Sequence, residues 1–284
     1  MIKNKRIVIT GGAGFIGSSL CRELSTSNEV HSIDNYFTGF KSNHHEDANY
    51  HYGNAKEISK IIDGAVDYVF HFGEYSRVEQ SFEDFDFVMQ NNNESLLDIL
   101  NFCKQRKAKL IYSGSSTKFT NDEEGFYQSP YAFTKYKNTE LIQAFNNWYG
   151  LDHAIVYFYN AYGPGEIRSG RYATVVAKFL NNFKNGIPLT IASPGTQERN
   201  FTHIDDIVSG ILMVAEFGYG DLYGIGSDDS YTILDLAKMI SDNIIMTKEQ
   251  PGNRSGSKLE VDKTKELGWT ALKKLEDYIV KHTK

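Results

Sequence analysis

Apolar and polar positions divide the first 160 residues into short runs and longer helical stretches. The runs at 6–10, 30–34, 68–72, 109–115 and 153–160 are rich in Val, Ile, Phe and Tyr, the composition of buried strands. Between them, apolar residues recur at helical spacing over 15–25, 86–104 and 130–148. Strands joined by helix-length crossovers predict a parallel sheet covered by helices on both faces, a doubly wound α/β fold of Rossmann type. Beyond Tyr162 the regularity loosens. A Gly-Pro-Gly turn at 163–165, a helix over 174–184 and a strand at 189–191 come first. A strand-helix pair (200–203, 205–216) and a strand at 222–225 follow and are expected to rejoin the sheet. The expected division is residues 1–161 with 199–226 as the sheet domain, and 162–198 with 227–284 as a smaller, discontinuous α/β lobe. Residues 252–257 read as a flexible loop, and no internal repeat occurs.

Composition narrows the partners. A chain of 284 residues, 40% hydrophobic, supports a sizeable core and excludes general disorder. The net charge is −6 without a dense Lys/Arg block, so a nucleic-acid partner is not expected and any ligand phosphate must be met by local groups. Cys21 and Cys103, the only cysteines, fall in helical stretches and read as reduced core residues of a cytoplasmic protein. Residues 1–6 lead straight into a strand without a signal segment, and no run of about 18 apolar residues occurs, so a soluble protein without a membrane partner is expected. No metal site is expected.

The sharpest motif follows the first strand: Gly11-Gly12-Ala13-Gly14-Phe15-Ile16-Gly17, then a helix. Glycine permits the tight turn and lets backbone amides approach phosphate, while the helix N-terminus offers free N–H groups and the positive end of its dipole. Asp34 ends the second strand, 17 positions beyond Gly17. A carboxylate there accepts both adenosine ribose hydroxyls and repels a 2′-phosphate, which favours NAD over NADP.

The reactive candidates lie further on. Tyr131-Ala-Phe-Thr-Lys135 opens a helix, which puts phenol and ammonium one turn apart on one face. A nearby cation favours phenolate and makes Tyr131 a usable general base. Ser113-Gly114-Ser115-Ser116-Thr117 ends the preceding strand, where open α/β sheets place their ligands, and a hydroxyl there can hold the substrate oxygen and relay its proton.

Together with Val69-Phe-His-Phe72, Ser129-Pro-Tyr131, Asn160-Ala-Tyr-Gly-Pro164 and Arg199-Asn-Phe-Thr-His-Ile-Asp-Asp206, these motifs stand in family order, and the chain ends with Asp262-Lys-x-Lys-Glu-Leu-Gly-Trp269. The whole chain resembles the extended short-chain dehydrogenases/reductases of the NAD-dependent nucleotide-sugar epimerase/dehydratase family, in particular UDP-glucose/UDP-galactose 4-epimerases. The resemblance implies that residues 1–161 bind NAD, the other lobe a nucleotide sugar. It places Gly11, Gly14, Phe15, Ile16 and Gly17 at the pyrophosphate; Asp34, Asn35, Tyr36, Phe37, Thr38 and Gly39 at the adenosine ribose; and Asn54 and Ala55 beside adenine. Phe72, Gly73, Glu74, Ser76 and Asn91 or Asn92 would border the cofactor, with Ser113, Tyr131, Lys135 and Tyr159 toward the nicotinamide. Asn160, Thr174, Arg199 and Arg254 match positions that hold the nucleotide diphosphate, and Ser115 would face the sugar. It also implies a homodimer through the helices 86–104 and 130–148. Leu96, Leu97, Leu100, Leu141 and Phe145 could form that contact or face the sheet instead.

Three departures bear on the reaction. Asn54 stands where the family often has Asp. Gly73 and Glu74 stand where two small residues are common, so a carboxylate lies near the cofactor, to tune the site or to point to solvent. Residues 116–119 (Ser-Thr-Lys-Phe) carry neither the acidic pair of 4,6-dehydratases nor the glutamate of the related decarboxylases, and Lys118 reads as an exposed lysine. The expectation is an NAD-dependent epimerase of a UDP- or dTDP-hexose acting at C4, with Ser115, Tyr131 and Lys135 catalytic. The alternatives are a nucleotide-sugar reductase, a C3/C5 epimerase, or a non-catalytic NAD-binding protein.

Overall fold

The computed structural model describes residues 2–119, 127–248 and 258–284. Arg254 and the loop expected at 252–257 lie outside the described residues. The first half alternates as expected: β1 (Arg6–Thr10), α1 (Phe15–Ser25), β2 (Glu29–Asp34), β3 (Asn49–Tyr52), α2 (Ile58–Ile61), β4 (Tyr68–His71), α3 (Phe85–Arg106), β5 (Lys109–Ser113), α4 (Pro130–Tyr149) and β6 (His153–Phe158). After it come β7 (Ala161–Tyr162), α5 (Val175–Lys184), β8 (Leu189–Ala192), β9 (Glu198–Asn200), β10 (Thr202–His203), α6 (Ile204–Phe217) and β11 (Gly220–Ile225). The chain closes with β12 (Ser230–Thr232), α7 (Ile233–Ile240), β13 (Ile244–Thr247), α8 (Asp262–Glu266) and α9 (Leu275–Thr283).

Seven strands form one parallel sheet in the order β11-β6-β5-β4-β1-β2-β3. Strand order reverses between β1 and β4, and the carboxyl ends on either side of that reversal open the crevice in which such sheets bind ligands. Register sets what meets there: Thr10 pairs with His71, and His71 with Tyr112.

Successive strand residues face opposite ways, so the sheet has two cores. Ile7, Ile9 and Ile111 pack under α1 and α6, while Val8, Leu110 and Tyr112 pack under α3 and α4. Each fully buried Ile or Val contributes about 1.5–3 kcal/mol by leaving water. Leu96, Leu100 and Phe145 belong to the second core and Leu141 packs against it, so these residues face the sheet; Leu97 stays exposed on α3. A third cluster gathers residues of α5, α7 and α9 around β8. Cys21 and Cys103 are buried and unpaired, and burial pushes the Cys21 thiol up to about 12. Among the described residues no helix is long and apolar enough to cross a membrane.

Candidate active site

The glycine turn has the shape a pyrophosphate needs. Gly11 sits at φ +75°, where a side chain is strained, and a Cβ on Gly17 would lie 2.1 Å from the Gly11 carbonyl oxygen. Gly14 caps α1 with no side chain, so the first amides of the helix remain for a ligand. Asp34 fixes the adjacent loop: one carboxylate oxygen accepts from the Ala13 amide at 2.9 Å and the other from the Tyr36 amide at 2.7 Å. Each oxygen keeps a second lone pair for a ribose hydroxyl. These features fit NAD.

A continuous cavity of about 460 Å³ runs from this turn to the start of α5. Gly11, Gly14, Phe15, Ile16, Gly17, Asp34 and Asn35 line it, as do Phe37, Thr38, Gly39, Phe72, Gly73, Glu74, Ser76, Asn91 and Ser113. Five residues expected at the cofactor do not line it. Tyr36 adopts φ +57°, and its ring stacks on Tyr52. Asn54 spends its side chain capping a 3₁₀ turn, accepting from the Lys56 amide at 3.0 Å, and Ala55 is buried in that turn. Asn92 is a buried scaffold amide that accepts from the Tyr75 amide and donates to Thr134 Oγ1. Tyr159 is buried at the end of β6, where its hydroxyl meets the Lys258 carbonyl and the Glu260 amide; Phe158, one residue earlier and on the other face, lines the cavity instead.

The three reactive candidates share this cavity. Ser129 caps α4 by accepting from the Ala132 amide at 3.1 Å and Pro130 occupies the first turn, so the helix begins where Tyr131 and Lys135 are displayed one turn apart. Ser115 Oγ accepts from Thr117 Oγ1 at 2.9 Å. The buried Lys135 ammonium has three acceptors: the Ser113 carbonyl at 2.6 Å, Ser113 Oγ at 3.3 Å and a Glu74 oxygen at 2.7 Å.

Glu74 does not point to solvent, since its side chain is fully buried. Besides Lys135 it accepts from the Tyr112 hydroxyl at 2.7 Å and from Asn138 Nδ2 at 3.1 Å. His71 Nε2 lies 3.3 Å away, off the line of a hydrogen bond, while His71 Nδ1 meets Thr10 Oγ1 of the glycine motif at 2.7 Å. Burial pushes this carboxyl up, but the Lys135 charge and then His71 outweigh it and bring it down to about 2. Lys118 is not an exposed lysine. It pairs with Asp221 at 2.7 Å and does not line the cavity.

At the far end, Asn160 and Thr174 line the cavity. Asn160 Nδ2 donates to the Asn200 carbonyl at 2.9 Å, and Thr174 Oγ1 donates to Glu166 Oε1 at 2.6 Å. Burial lifts the Glu166 carboxyl to about 7 against the pull of Thr174 and the Gly163 amide. Arg199 lies on β9, donates to the Glu198 carbonyl at 2.8 Å and does not line the cavity.

Sequence reasoning missed Arg77, which lines the cavity half-buried and gives two N–H groups to the Tyr172 carbonyl at 3.0 and 2.8 Å. Burial lowers its pKa. The signal was available: Arg77 follows the carboxyl end of β4, the same location that singled out Ser115 after β5.

Known proteins share this architecture. The NAD dependent epimerase/dehydratase family model matches residues 7–226. The UDP-glucuronic acid decarboxylase 6 of Arabidopsis thaliana is 27% identical, over 96% of this chain and 86% of its own. A UDP-N-acetylglucosamine 4-epimerase from Methanobrevibacter ruminantium, solved in complex with UDP-N-acetylmuramic acid, is 27% identical with a TM-score of 0.90, covering 99% of this chain and 97% of that one. The UDP-glucose 4-epimerase of Thermotoga maritima, solved with UDP-glucose, is 26% identical with a TM-score of 0.89, covering 98% and 97%.

Proposed function

The chain belongs to the NAD-dependent epimerase/dehydratase family, and from that premise we propose that it epimerises a nucleoside-diphosphate hexose at C4. One observation carries the reading: Ser115, Tyr131 and Lys135 share a cavity whose lining, among the described residues, has only two carboxylates, Asp34 and Glu74. Asp34 is held by backbone amides, and Glu74 by Lys135. Neither is a free acid–base group for eliminating water or carbon dioxide.

The glycine turn and Asp34 are the groups that would hold NAD, which when bound supplies a reversible hydride acceptor at C4. Tyr131 takes the proton of the C4 hydroxyl, and Ser115 orients that hydroxyl. Lys135 stabilises the phenolate. Tyr131 then returns the proton to the 4-keto sugar after the sugar has turned in the site. Asn160 and Thr174 hold the diphosphate of a UDP- or dTDP-hexose at the far end, joined by Arg199 if its guanidinium swings into the cavity.

The test feeds purified protein UDP- and dTDP-hexoses and follows C4 configuration by NMR. An epimer forms with no net change in NADH absorbance, and Tyr131→Phe lowers kcat by about 10²–10⁴-fold. Failure to form an epimer, or equal activity in the variant, sinks the proposal. Net consumption of NADH selects the reductase.

A second reading, an acidic sugar substrate, is favoured by Arg77: among the described residues this cavity-lining guanidinium has no carboxylate partner in an ion pair. The panel therefore includes UDP-glucuronic acid, whose loss of carbon dioxide would replace epimerisation. The homodimer implied by the resemblance is tested by sedimentation, where a monomer at micromolar concentration removes it.

A further inference from the structure

Lys135 has three N–H groups and three protein acceptors, so its place is fixed before any ligand arrives. Two of those acceptors belong to Ser113 and are neutral. The third is a carboxylate from a different strand end, carried there because the β1-β4-β5 register lines up Thr10, His71 and Tyr112 beneath it. A buried ion pair is a poor device for stability alone, since desolvation consumes most of its Coulomb energy. Its use here is better sought in the charge it delivers.

We propose that Glu74 is a positioning residue for Lys135: it pins the ammonium against Ser113 and offsets its charge, so that the field behind Tyr131 is set by a protein carboxylate. This deepens the reading above and rests on Tyr131 being the general base. The charged and titratable groups around the pair are His71 on β4, Tyr112 on β5, Tyr131 on α4 and Arg77 in the loop after β4. Asn138 on α4 is their neutral neighbour. With Glu74 ionised, most of the Lys135 charge is offset, and Lys135 keeps only a reduced pull on the phenolate beside that of Arg77. Remove the Glu74 charge and the full charge of Lys135 reaches the phenol, favouring phenolate.

The experiment needs no substrate, so it is independent of whether the epimerase reaction is found. Tyr131 ionisation is read as the tyrosinate difference spectrum between each protein and its Tyr131→Phe counterpart. Glu74→Gln lowers the midpoint by about one pH unit. Exchanging acid and amide, Glu74→Gln with Asn138→Asp, keeps the hydrogen bond, returns a negative charge to the cluster and restores most of the shift. An unmoved midpoint in Glu74→Gln, or a folded exchange variant that fails to restore it, overturns the proposal. Should the variants fail to fold, the wild-type chain decides: by carboxyl NMR Glu74 remains ionised well below the usual glutamate range, and an ordinary titration overturns the pairing on which the proposal stands.

Discussion

Glu74 and Glu166 are both carboxylates withdrawn from water near the same cavity, and they end in opposite protonation regimes. Glu74 meets an ammonium at 2.7 Å and is held down to about 2. Glu166 meets a threonine hydroxyl and a backbone amide and rises to about 7. Both accept good hydrogen bonds, so hydrogen bonding does not separate them. The difference is a contacting cation: the neutral donors on Glu166 only reduce its desolvation penalty, whereas the Lys135 charge on Glu74 reverses it. One site therefore has a fixed charge at every working pH, the other a proton that comes and goes near neutrality.

The comparison breaks most sharply if Glu74 loses its cation. Lys135→Met leaves the buried carboxylate with Tyr112, Asn138 and the nearby His71 but without its contacting ammonium, and destabilises the fold by about 3–5 kcal/mol. Denaturant unfolding checks this. The double variant with Glu74→Gln recovers most of the loss, because the charge that lacked a partner is gone. A single variant as stable as wild type would show that the Glu74 charge was never dependent on Lys135. In the wild type the depressed Glu74 pKa contributes stability present above the usual 4.5 and lost as pH falls toward 2.

Glu166 has the opposite sign. Its folded pKa of about 7 exceeds the usual 4.5, so its stabilisation is complete below 4.5 and is lost as pH rises through 7. The swing is on the order of 3 kcal/mol. Melting temperature should fall between pH 5 and about 8 in the wild type, and Glu166→Gln should flatten that fall. A slope that survives the substitution belongs to another group.

How much of this the sequence carried follows from how far apart the partners are in the chain. The glycine turn was legible because strand, turn, helix and Asp34 lie within 29 residues (6 to 34), and local rules govern each piece. Tyr131 and Lys135 were legible for the same reason, as neighbours on one helix. The strand β3 was not, because Asn49–Tyr52 is a short edge strand with polar residues and no apolar run. Tyr159 failed by one position of strand alternation: Phe158 has the orientation expected of it. Glu74 and Lys135 are 61 residues apart (135 − 74), and only the register of three strands brings them together. Sequence marked Glu74 as unusual, and packing made it the partner of Lys135.

The smallest expected effect separates the two roles open to Thr174. Its hydroxyl was expected at the diphosphate, yet it donates to Glu166. A hydrogen bond to the ionised form favours that form, so Thr174→Val removes a downward pull and moves Glu166 above about 7. At about 1.5 kcal/mol for a bond to a charged group, the displacement is roughly one pH unit. The fall in melting temperature still begins near the usual 4.5 but continues about one unit further before it levels off than in the wild type. If the levelling-off point does not move, the Thr174 hydroxyl is not what holds Glu166 down. If that point moves while the KM for a nucleotide sugar stays the same, Thr174 acts on the carboxylate and not on the diphosphate. Glu166 would then be the group that answers to pH at that end of the cavity, while Glu74, locked to Lys135, stays constant at the other.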